Sequence, residues 1–68
     1  MASVLSTLRV ARMARRLTMA EAATEVDINV SDYGRIERLA MKPSRRVAAL
    51  LEARYRRPIA ELLAEVRA

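Results

Sequence analysis

TMAEAATEVDINVSDYGRIER, residues Thr18 to Arg38, reads as two short helices joined by a tight corner. Thr18 followed three residues later by Glu21 is a capping box: the hydroxyl accepts from the Glu21 backbone N–H, and the carboxylate accepts from the N–H of Thr18. Ala22, Ala23 and Val26 then give that helix one small apolar face. The helical pattern breaks at Asp27-Ile28-Asn29. Asn29 is a good cap for a second helix, and Ile28 with Tyr33 has the spacing of a hydrophobic staple. Val30, Tyr33 and Ile36 follow at helical spacing, and the helix runs to about Arg38.

Two helices joined by so short a turn cross at a large angle, as a helix-turn-helix does. The chain around them has 68 residues, enough for one domain, 1–68, with a small core. It carries 13 Lys+Arg against 8 Asp+Glu, a net charge of +5. All those cations but Lys42 are arginines, whose planar fork suits phosphate and guanine. A basic domain of this kind expects a polyanionic partner, nucleic acid before an anionic membrane. Without cysteine there is no disulfide framework and no thiolate metal site, which is compatible with a reducing, cytoplasmic setting. No apolar run is long enough for a membrane span, and no signal-peptide pattern is present.

Outward from the central pair, Ser3 can cap a first helix over about 4–15, with Val4, Leu5, Leu8 and Ala11 turned inward and Arg9, Arg12 and Arg16 along a neighbouring stripe. The central helices span about 19–26 and 30–38. Leu39 to Pro43 reads as a loop, because Pro43 disfavours helix at the residue before it. Ser44 caps a helix over about 45–54, whose inner face is Val47, Leu50, Leu51 and Tyr55. Pro58 suits the first turn of a last helix over about 58–66, where Ile59, Leu62, Leu63 and Val66 repeat at i, i+3, i+4, i+7. Nothing alternates with period two for long enough to be a strand. The expected fold is all-α, a compact domain of five short helices.

The run Leu8-Arg9-x-x-Arg12 … Leu17-Thr18-x-x-Glu21-x-Ala23 … Ile28-x-x-Ser31 … Arg35-Ile36-Glu37-Arg38 … Pro43-Ser44 … Ile59-x-Glu61-Leu62-Leu63 resembles the lambda-repressor/Cro-like helix-turn-helix domains of phage and bacterial regulators. The resemblance covers about Leu5 to Leu63. It implies a five-helix domain that binds operator DNA as a dimer, with the helix starting at Asn29 in the major groove. Base edges would be read by Val30, Ser31 and Arg35. Arg35 can fork onto guanine O6 and N7, Val30 offers a methyl surface to thymine, and Ser31 can donate or accept. Thr18, Lys42, Ser44, Arg45 and Arg46 match positions that grip the DNA backbone. Asp32 reads as a helix N-terminal capping residue. From spacing alone Arg12 and Glu37 are ordinary surface charges; the resemblance implies a salt bridge between the first and third helices.

The chain also departs from the pattern of that family, whose members often carry glycine where it has Arg16, Asp27 and Leu39, and glutamine where it has Met19. The corners are therefore expected to differ, since a left-handed turn costs a residue such as arginine or leucine roughly 1–2 kcal/mol. Gly34, the lone glycine, lies inside the proposed reading helix, where it costs about 1 kcal/mol relative to alanine. It marks either a close approach or a tolerated small surface residue.

Two function classes follow. The first is a sequence-specific transcriptional regulator, a small repressor acting on an operator as a homodimer. The second is an antitoxin or adaptor that binds both DNA and a protein partner. An enzyme is not expected: there is no histidine or cysteine, no glycine-rich phosphate loop and no paired carboxylates. No cofactor and no metal are expected. A membrane-surface role is disfavoured because the arginines are dispersed over several helices instead of opposing one apolar face.

Overall fold

Five helices form the fold in the computed structural model, which describes residues 5–66. They are α1 (Thr7–Ala14), α2 (Met19–Glu25), α3 (Val30–Glu37), α4 (Arg45–Tyr55) and α5 (Ile59–Leu62). Four start at a side-chain cap: the Ser6, Thr18, Asn29 and Ser44 oxygens accept from the backbone N–H three residues on. At Thr18 the capping box closes in both directions, at 2.8 and 3.1 Å. The fifth starts at Pro58, which has no side-chain oxygen to offer. Glu52 of α4 substitutes by accepting from the Ile59 N–H at 2.6 Å.

The stops are equally local. Arg16, Asp27 and Leu39 take positive φ of 57°, 57° and 62°, closing α1, α2 and α3. The corners are thus built in the left-handed conformation without glycine, and Arg56 does the same after α4 with φ 53°. After α1, α2 and α3 the corner is closed by a local backbone bond, from Leu17 N–H to Arg12 O, Ile28 N–H to Ala23 O and Ala40 N–H to Arg35 O, and the packing of the helices that follow offsets the strain.

Leu8, Ala22, Ala23, Val26, Tyr33, Ile36, Val47, Leu51 and Leu62 make the core. Two alanines on α2 leave room for Tyr33 and Ile36, so α3 lies close against α2 with one side buried.

Two boundaries differ from the sequence reading. Ser3 and Val4 lie outside the described residues, and the first helix starts at Thr7, not at residue 4. The last helix stops at Leu62, far short of 66, so Val66 is not a fourth member of a helical stripe. Both changes have one cause. The two ends pair antiparallel at Ser6 and Glu65, with Thr7 N–H donating to Ala64 O at 3.0 Å and Val66 N–H to Leu5 O at 2.7 Å. Those backbone groups would otherwise sit in helical turns. Pairing also buries Ser6 completely, and the hydroxyl of Ser6 then serves as the cap of α1.

Candidate nucleic-acid interface

The α2–α3 corner turns over Val26 to Asn29 and delivers α3 with two unlike sides. Tyr33, Gly34, Ile36 and Glu37 are buried, whereas Val30, Ser31, Arg35 and Arg38 are exposed. Val30 is 47% exposed, a large apolar side chain left in water beside polar neighbours. Ser31, Arg35 and Arg38 stand at i, i+4 and i+7, hence on one stripe of the helix. Arg38 shares that stripe by position, but its side chain folds back beside Gly34.

Asp32 differs from its expected role. Its backbone N–H is capped by Asn29 Oδ1 at 2.7 Å, but its carboxylate does not cap the helix start. Oδ2 accepts from Asn29 Nδ2 and Oδ1 accepts from Arg35 Nη1, each at 3.2 Å.

The residues matched to backbone grip fall at helix starts. Thr18 opens α2 and Ser44 opens α4, each with its hydroxyl committed to a cap. Lys42, Arg45 and Arg46 are exposed around the start of α4. Arg46 reaches back to the α2–α3 corner: Nη1 lies 3.7 Å from Asp27 Oδ2, and Nη2 donates to Asp27 O at 3.4 Å. The structure therefore brings the basic start of α4 next to the corner that feeds α3. Lys42 and Arg45 have no carboxylate partner among the described residues.

Beneath α3 lies an ion pair. Arg12 Nε donates to Glu37 Oε2 at 2.8 Å and Nη2 to Oε1 at 3.0 Å, a two-pronged contact with Glu37 only 3% exposed. Nη1 donates to Leu17 O at 2.7 Å, so the same guanidinium also holds the α1–α2 corner. The hydrogen bond to Glu37 raises the Arg12 pKa. Behind the pair, Tyr33 and Tyr55 bury hydroxyls that have no hydrogen-bond partner among the described residues. Burial first, and the nearby Glu37 charge second, pushes the Tyr33 phenol far above its ordinary range. Arg15 covers the Tyr55 ring at 4.5 Å and donates to Arg54 O.

No family model matches the chain, and no curated protein or solved structure matches it. The chemistry of the site therefore rests on its own geometry. A cleft of about 160 Å³ opens between Arg9, Arg12, Met19, Gly34, Glu37 and Arg38. Gly34 is buried there, and a Cβ on it would stand 3.2 Å from Arg38 Nη1 and 3.8 Å from Met19 Sδ. Gly34 is therefore not a tolerated surface position, but only the flexible tip of the folded Arg38 side chain stands closer than ordinary contact; Met19 of α2 does not. A second, open groove of about 320 Å³ lies against Leu39, Ala40, Met41, Lys42 and Leu63. Among the described residues no group of three or more His, Cys, Asp or Glu could hold a metal ion, and no helix is long and apolar enough to cross a membrane.

Proposed function

We propose that this domain is a sequence-specific DNA-binding regulator, a small cytoplasmic repressor that acts on an operator as a homodimer. In this reading α2, its corner and α3 form the helix-turn-helix, and the exposed side of α3 enters the major groove. The observation that carries the reading is the two-sidedness of α3: one side is buried against α2, and Val30, Ser31 and Arg35 stand exposed on the other. A short exposed helix bearing an apolar, a hydroxyl and a guanidinium group carries the chemistry for thymine methyl, mixed and guanine contacts. Thr18, Lys42, Ser44, Arg45 and Arg46 would hold phosphates and fix the register without reading sequence. Two half-sites one helical turn apart compensate for so short a reading helix, which is why we assign a dimer.

The test is binding to duplex from the protein's own promoter region, or to the best duplex recovered from a randomised pool, against a scrambled duplex. The complex weakens steeply with salt, as counterion release requires. Arg35→Ala narrows the gap between cognate and scrambled DNA by roughly 1–3 kcal/mol. Arg45→Ala weakens both alike and lowers the salt slope by about one. An unchanged cognate preference in Arg35→Ala would overturn the assignment of the reading residues. No complex at low ionic strength would overturn the function.

A further inference from the structure

Two of the helices that start at a side-chain cap, α2 and α3, place an acid three residues after it, and they use it differently. Glu21 turns back and accepts from the Thr18 backbone N–H, closing its box. Asp32 turns along the exposed side of α3 and links Asn29 Nδ2 to Arg35 Nη1. Asn29 is itself fixed, because its Oδ1 accepts from the Asp32 N–H. A chain of side chains, Asn29–Asp32–Arg35, thus runs from the helix cap to the second turn, anchored to backbone at its start.

We propose that Asp32 is a positioning residue that sets which base Arg35 reads; this rests on the DNA-binding reading above. The pair contributes little to folding, since the two side chains are 54% and 37% exposed and an exposed ion pair is nearly neutral in water. Its consequence lies in direction. A free arginine side chain has many rotamers and suits phosphate and guanine alike. Holding Nη1 leaves the Nε–Nη2 edge forward, a two-donor fork that fits guanine O6 and N7. The carboxylate also repels phosphates, so an Arg35 tied to it is drawn away from the sequence-independent contact. Both effects widen the gap between the right duplex and any other.

The experiment measures affinity for the best duplex selected by the wild-type chain and for a scrambled duplex. Wild type, Asp32→Asn, Asp32→Ala, Arg35→Ala and the double variant Asp32→Ala/Arg35→Ala are compared, with circular dichroism melts to verify folding. Asp32→Ala is expected to bind scrambled DNA more tightly and to lose cognate preference by about fivefold or more, the lower end of what an arginine–guanine pair discriminates. Asp32→Asn, which keeps an oxygen acceptor without the charge, falls between. The double variant loses no more preference than Arg35→Ala alone, because Asp32 acts through Arg35. Equal strengthening on both duplexes would reduce Asp32 to a repelling charge, and equal weakening with a lower melting point would reduce it to a structural residue. Either result, or additive losses in the double variant, overturns the proposal while leaving DNA binding intact. A wild-type chain that selects no preferred duplex overturns the parent reading, and this one with it.

Discussion

Replacing Glu37 by alanine should come close to unfolding this domain, whereas replacing Glu25 should hardly be felt. Glu37 is 3% exposed and takes two donors from Arg12, itself 12% exposed, at 2.8 and 3.0 Å. Its removal leaves a mostly buried guanidinium with only Leu17 O to hold it. Breaking one side of a buried pair costs about 3–5 kcal/mol. A chain of 68 residues has a total stability of about 3–10 kcal/mol at roughly 0.05–0.15 kcal/mol per residue, so the loss is comparable with the whole. Glu25 instead meets Arg54 at 3.8 Å with side chains 27% and 48% exposed, a pair worth about 0–1 kcal/mol. Urea unfolding followed by circular dichroism separates the two variants. Arg12→Met/Glu37→Met, which removes both charges and keeps volume, should recover most of what Glu37→Ala loses, since a buried pair exchanged for apolar groups is near neutral. Equal midpoints for Glu37→Ala and Glu25→Ala would refute the reasoning.

Gly34→Ala should raise stability by up to about 1 kcal/mol, because its Cβ is tight only against the movable tip of Arg38, meets Met19 Sδ at an ordinary 3.8 Å, and alanine is the better helix former; a lower melting temperature would show that the Arg38 tip cannot give way. Alkali should unfold the domain cooperatively. Burial raises Tyr33 and Tyr55 above their ordinary value of 10.0, so the stability they contribute is fully present below that pH and is lost as pH rises from there through the raised values. Tyrosinate absorbance and loss of helix should rise together, and tyrosinate appearing near pH 10 in a chain still fully helical would refute it.

The local grammar of the chain was legible in its residues. Thr18, Asn29 and Ser44 cap helices because a short side-chain oxygen one residue before a helix can reach an unpaired N–H, and that geometry is set within four residues. The three inner helices fall within a residue of their expected bounds for this reason. The apolar spacing likewise placed Leu8, Tyr33, Ile36, Val47, Leu51 and Leu62 in the core. What tertiary structure alone decided is where distant segments compete for the same groups. Glycine preference argued against left-handed corners at Arg16 and Leu39, yet both adopt them: the bonds that close them are local, Leu17 N–H to Arg12 O and Ala40 N–H to Arg35 O, and the packing of the next helix offsets their strain. The apolar period of Ile59 to Val66 argued for helix, yet the chain leaves it after Leu62 to pair with Leu5 to Thr7, almost the whole chain away. The Asp32 carboxylate is a local exception: it meets Arg35, three residues on in the same helix, where its place in the first turn argued for a cap. Sequence fixes contacts made within one helical turn; those requiring two ends of the chain to meet depend on the fold that brings them together.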